Sequence, residues 1–177
     1  MKRNEYFIVL DTETAGGIGS PLPYDLGYII TNRKGEIAVK RSFCIYEIYC
    51  EQKEKMATAY YAEKIPQYEQ ELKEGKRKLV RRFTARKIIL EDMQTYKTNL
   101  VYAYNVGFDR RALNNLQMFC TDNNYRLFFP KDAEYRCIWN AACSVLLNRP
   151  SYLKFALDNG YVSEKNNILT NAECCYR

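Results

Sequence analysis

The stretch Tyr6–Thr14, reading YFIVLDTET, constrains the chain more than any other. Phe7, Ile8, Val9 and Leu10 form an unbroken, branched apolar run, which is the composition of a strand buried on both faces of a sheet. The run ends in Asp11 and Glu13. Side chains alternate along a strand, so these acids share one face and Thr12 and Thr14 the other. Neighbouring carboxylates at the end of a buried strand raise each other's proton affinity. A hard divalent cation such as Mg²⁺ or Mn²⁺ removes that cost and prefers oxygen ligands. The plainer alternative is that the acids simply close the strand and open a polar turn.

A second stretch, Val101–Leu113, reads VYAYNVGFDRRAL. It predicts a short strand broken at Asn105 and Gly107, then a helix with Asp109 in its first turn. Each polar residue also has a structural explanation: the helix dipole favours an acid there, and Asn105 can serve as a cap.

Taken together, DTET and Asn105-x-x-Phe108-Asp109 resemble the first two motifs of the DEDD (DnaQ-like) 3′–5′ exonucleases. The resemblance implies an α/β, ribonuclease-H-like three-layer domain. Its sheet would be mixed and mostly five-stranded, with an antiparallel hairpin early and helices on both faces. It implies Asp11, Glu13 and Asp109 as catalytic metal ligands, with two Mg²⁺ or Mn²⁺ ions in a complete site. Substrate-binding positions would be Thr14, Ala15 and Gly16 after the first motif, and Asn105 and Phe108 in the second. The implied reaction is removal of nucleotides from a single-stranded or frayed 3′ end of DNA or RNA, with a replication or repair protein as the partner class. The family's third motif carries a fourth acid preceded by a His or Tyr. This chain has no histidine. Asp158 falls ahead of where that motif belongs, and no acid follows Tyr176. Three expectations stay open: a C-terminally truncated piece, a diverged inactive copy, or an enzyme completed by a partner. The alternative function is a single-strand-binding or protein-interaction module of the same fold.

At 177 residues the length fits one domain spanning 1–177. No apolar run approaches the roughly 20 residues of a membrane helix, and MKRNEYFIVL lacks a small-residue cleavage site before its acids, so a cytoplasmic protein without a membrane partner is expected. Seven cysteines without a C-x-x-C pair read as reduced, packed thiols. The net charge of +6 is compatible with a phosphate-bearing partner.

Along the chain, Ala15–Pro23 predicts a loop whose Gly16 and Gly17 admit close approach of a strand of nucleic acid. Leu26–Thr31 and Glu36–Ile48 predict a hairpin about a turn at Asn32–Gly35. A charged helical segment is expected over 50–83, broken or restarted at Pro66 and stopped at Gly75. It runs into the most basic tract, Lys76, Arg77, Lys78, Arg81, Arg82, Arg86 and Lys87. Arg81, Arg82, Arg86 and Lys87 are candidate phosphate contacts on the surface of a helix from about Thr84 to Tyr96. Further on, Arg126–Phe129 predicts a short strand, Ile138–Leu147 a buried helix and Tyr152–Asn159 another.

Overall fold

The computed structural model describes residues 5–146 except 60 and 125. Six strands form one sheet in the order β4-β3-β2-β1-β5-β6. β1 (Tyr6–Ala15), β2 (Leu22–Asn32) and β3 (Ile37–Ile45) form an antiparallel meander. β5 (Leu100–Ala103) pairs parallel to β1, β6 (Glu134–Cys137) parallel to β5, and β4 (Lys78–Val80) parallel to β3. This is the mixed sheet with an early hairpin that the sequence predicts, with one strand more than expected. The extra strand, β4, lies in the basic tract, where sequence pattern suggested helix and surface.

The β2–β3 turn follows its residue chemistry. Gly35 adopts φ +83°, and the Asn32 side-chain oxygen accepts from the amides of Lys34 (2.9 Å) and Glu36 (3.1 Å).

Alternation gives the sheet two distinct faces. Ile8 and Leu10 share the core face with Leu26, Tyr28 and Ile30 across the ladder. Against it pack Ala85, Ile89 and Met93 of α4 (Arg82–Thr95) and Leu113 and Leu116 of α5 (Val106–Thr121). Val9 and Ile29 are buried on the opposite face, which also carries Asp11 and Glu13.

The charged segment is not one helix. It divides into α2 (Lys53–Ala57), a 3₁₀ turn (Ala62–Lys64), α3 (Ile65–Lys73) and then β4, after a short α1 (Tyr46–Tyr49). Pro66 starts α3 rather than breaking it, because the first turn of a helix needs no amide donor. Gly75, at φ +70°, closes α3 as predicted.

Three other expectations are corrected. Arg126–Phe129 is not a strand: Phe128 and Phe129 are buried as a packed loop, anchored by the Phe128 amide donating to Asn114 Oδ1. Burial of apolar side chains does not need a ladder. The strand lies further on, at β6. Asn105 precedes α5 but makes no side-chain cap bond; its carbonyl accepts from the Phe108 amide at 2.8 Å. α6 (Ile138–Leu146) exists, but Trp139 at its start is half exposed, so it is not a fully buried helix. Tyr152–Asn159, Asp158 and Tyr176 lie outside the described residues.

Candidate active site

β1 outruns its parallel neighbour. The β1–β5 ladder pairs Ile8 with Val101 and Val9 with Tyr102, while β1 continues to Ala15 and β5 stops at Ala103. Beyond that point the flank of β1 faces the start of α5. Asp109, in the first turn of α5, accepts on one oxygen from the Thr12 amide (3.0 Å) and the Thr12 hydroxyl (2.9 Å). A side chain thus completes the hydrogen bonding that a longer β5 would have supplied. Asp109 is 3% exposed, so the contact is desolvated.

This arrangement brings the two motifs together at the backbone between Asp11 and Glu13. Asp109 meets β1 from the Thr12 side, whereas alternation turns Asp11 and Glu13 to the other face. Asp11 and Glu13 are both half-buried.

A fourth acid stands beside them. Glu13 pairs directly with Asp25 across the β1–β2 ladder. Asp25 is buried, accepts from the Tyr68 hydroxyl at 3.0 Å and pairs with the Arg77 guanidinium. Arg77 also reaches Glu71 and the Ser42 hydroxyl, each at 2.8 Å. Sequence reasoning missed Asp25, because only the hairpin register sets it opposite Glu13. It also read Arg77 as surface charge, whereas Arg77 is 8% exposed inside this network.

The electrostatics follow from the burial. Desolvation pushes the Glu13 carboxyl up to about 7, with Asp25 and Asp109 adding repulsion and Lys64 and Arg77 opposing it. Burial likewise raises Asp109 to about 6, against the pull of the two Thr12 donors. Burial also raises Asp25, opposed by Arg77 and Tyr68.

The other predicted site residues are distributed unevenly. Thr14 is half-buried and Ala15 fully buried, while Gly16 is exposed at φ +84°, where a side chain would meet the Ser20 carbonyl at 3.3 Å. Asn105 is exposed beside the site, and half-buried Phe108 lies under the Arg111 guanidinium, 5.8 Å from the ring centre. The four basic candidates divide. Arg82 donates to Gln117 Oε1 (2.9 Å) and Arg86 to the Phe128 carbonyl (2.6 Å), so both brace α4 against neighbouring elements. Arg81 is exposed and stacks over Tyr46, and Lys87 is exposed in a weak pair with Glu91 at 3.7 Å. Arg82 and Arg86 thus each have a tertiary partner that helical period does not reveal.

The chain is similar to exonuclease I in complex with the inhibitor BCBP, at TM-score 0.59 and 13% identity, over 99% of this chain and 41% of that one. It is also similar to the zinc-bound form of the E. coli exonuclease I complex with single-stranded DNA, at TM-score 0.59 and 14% identity, over 97% and 38%. The metal-free form of that complex aligns at TM-score 0.56 and 13% identity, over 96% and 38%. The fold is ribonuclease-H-like. This chain spans about two fifths of the length of the structures it matches. No family model matches, and no curated protein matches by sequence.

In this ribonuclease-H-like sheet the donor chemistry suits a hard divalent cation: carboxylates gathered at a strand end, two of them raised by burial. Among the described residues, no group of three or more His, Cys, Asp or Glu side chains is assembled to hold an ion. The predicted trio is thus drawn to one strand end but not closed into a cluster, with Asp109 engaged by Thr12. Among the described residues, no helix is long and apolar enough to cross a membrane.

Proposed function

We propose that the chain is a cation-dependent 3′–5′ exonuclease acting on a single-stranded or frayed end of DNA or RNA. Asp11, Glu13 and Asp109 would be its Mg²⁺ or Mn²⁺ ligands. The observation that carries this reading is the clasp of Asp109 on Thr12, which joins the two motifs across 97 residues at the end of β1. The single-stranded DNA complexes of structurally similar exonuclease I support a single strand as the substrate class.

Divalent ions, when bound, lower the pKa of an attacking water and offset charge on the departing 3′ oxygen. The chain's own contribution is to hold carboxylate oxygens together at a cost in desolvation. Asp11 and Glu13 present theirs from one face of β1, and Thr12 fixes Asp109 at the same strand end from the other side. Arg77 neutralises Asp25, which keeps a fourth negative charge from adding fully to the repulsion around Glu13. Exposed Gly16 leaves the backbone after the acids open to a nucleic-acid strand.

The test is release of mononucleotides from a 3′-labelled single strand, with and without chelator. Cation-dependent release that Asp11→Ala abolishes supports the reading. Chelator-resistant release, or release that survives Asp11→Ala, overturns it. A second reading is favoured by the lack of a three-ligand group among the described residues: a module that binds a single strand without cutting it. Tight oligonucleotide binding without release under any divalent cation would establish that one. The same reading proposes phosphate contacts at Arg81, Arg82, Arg86 and Lys87 and a replication or repair protein as the partner class.

A further inference from the structure

Helix α3 crosses the acid-bearing face of the sheet, and its contacts fix the direction. Asp25 pairs with Glu13 across the β1–β2 ladder, so their side chains share that face. The Tyr68 hydroxyl of α3 donates to Asp25 on β2. Further along α3, Glu71 meets Arg77, which also donates to the Ser42 hydroxyl on β3. The chain then reaches β4, beyond β3 at the edge of the sheet. α3 therefore runs from the β1 side of the face toward β4. Lys64, the residue that leads into α3, stands four residues before Tyr68 and so on the same side of the helix. That is one turn back from Asp25 toward β1 and Glu13.

Two cations bear on Glu13 there. The Lys64 ammonium and the Arg77 guanidinium are both close enough to oppose the rise of its carboxyl. They differ in what else holds them. Arg77 is buried, and Asp25, Glu71 and Ser42 take up its nitrogens. Lys64 is half-buried, and its ammonium stands over the Tyr61 ring, 4.0 Å from the centroid. A ring face attracts an ammonium without neutralising it, so the charge stays on offer to an anion beside the acids. A compact ammonium on a flexible stem meets a phosphate oxygen as a point charge. The chain has no histidine, so a phosphodiester at the acids meets its protein cations as lysine or arginine.

We propose that Lys64, held on the acid-bearing face by α3 and the Tyr61 ring, is a phosphate-binding residue of the carboxylate site. The inference rests on the proposed function and names the contact through which that site holds its substrate. Lys64 takes a non-bridging oxygen of the phosphodiester nearest the 3′ end, while Arg77 stays with Asp25. The contact is with the backbone of the strand, so it is indifferent to base sequence.

The test follows binding of a labelled dT strand to the full chain by anisotropy, in chelator so that nothing is cut. Lys64→Met keeps the stem and removes the charge. It should weaken binding by about tenfold and lower the slope of log affinity against log salt by about 0.7, the share of one phosphate contact. Lys64→Arg should restore most of both. A strand with neutral methylphosphonates at its last two 3′ linkages should bind the parent more weakly than the all-phosphate strand, and Lys64→Met should bind the two strands alike. Circular dichroism and melting of each variant exclude misfolding as the cause. The loss in Lys64→Met should persist in a Glu13→Gln background. A loss that vanishes there would show that Lys64 serves only to pair Glu13, and the inference would fall. Unchanged affinity and salt slope in Lys64→Met, in a parent chain that cuts, would overturn the contact while leaving the nuclease reading intact. No binding and no cleavage of any strand would overturn both.

Discussion

Asp92 and Asp109 are helix-borne carboxylates turned toward the same face of one sheet, and the fold treats them in opposite ways. Asp92, on α4 and 9% exposed, accepts from the Tyr28 hydroxyl at 2.6 Å and from two nitrogens of Arg41 at 2.8 and 3.0 Å. Burial alone would raise it, but Arg41 and Tyr28 hold it below the ordinary carboxylate range. Asp109 is buried more deeply, is met by the neutral amide and hydroxyl of Thr12, and is raised to about 6. Asp25 likewise meets a guanidinium, that of Arg77, which it shares with Glu71, although burial still leaves it raised. Asp109, in the second motif, is held in place by neutral donors, and a cation from solution would lower its energy.

The largest expected effect tests the scaffold side of that contrast. Arg77→Ala leaves Asp25 buried without its partner and should destabilise the chain by about 3–5 kcal/mol in urea unfolding. A loss under about 1 kcal/mol would mean that these guanidiniums are incidental and that the two kinds of acid do not differ.

Glu13 should show the reverse sign. Burial raises its carboxyl from the ordinary 4.5 to about 7 in the folded chain, so the folded state holds the extra proton between those values. Stability therefore falls as pH rises through that window. Glu13→Gln should remove the slope and stabilise the protein by about 2 kcal/mol at pH 8, with no gain at pH 4. A divalent cation should stabilise the parent chain at pH 8 and not the variant. A flat pH profile in the parent would contradict the placement of Glu13.

Asp109→Asn keeps an acceptor for Thr12 and removes the charge. A gain of about 1 kcal/mol is expected above pH 6, vanishing below pH 4, because the protonated acid and the amide are then alike. Asp92→Asn should instead lose stability at neutral pH, and equal signs for the two variants would break the comparison.

The smallest effects separate the basic residues. Arg82→Ala and Arg86→Ala should each cost about 1 kcal/mol, since each gives up a tertiary hydrogen bond. Arg81→Ala and Lys87→Ala should cost less than about 0.5 kcal/mol. A salt-dependence test of strand binding is cleanest on the latter pair, where a weaker slope cannot be ascribed to a damaged fold.

Much of this architecture was legible in local pattern. The run Phe7–Leu10, the turn at Asn32–Gly35 and the existence of a helix over about Thr84–Tyr96 all depend on neighbours a few residues away, although its buried face carries Ala85, Ile89 and Met93 and leaves Phe83 exposed. The shared face of Asp11 and Glu13 and the first-turn position of Asp109 are of the same kind. What misled was burial without periodicity: Phe128 and Phe129 suggested a strand because apolar content does not say whether a segment joins a ladder. The failure at Arg77, Arg82 and Arg86 has a related cause. A charged residue is assigned to the surface by default, and its partner lies 52 residues away at Asp25, 35 away at Gln117 or 42 away at Phe128.

The sequence by itself therefore determined the strand that carries the acids and the helix that carries Asp109. Only the tertiary structure decided how they meet. Because β5 stops short of β1, the Thr12 amide is left to Asp109, and the third acid is held on the side of β1 opposite Asp11 and Glu13. Hairpin register alone sets Asp25 against Glu13. Each of these depends on strand lengths and ladder offsets, which long-range pairing fixes and which no local stretch of residues encodes.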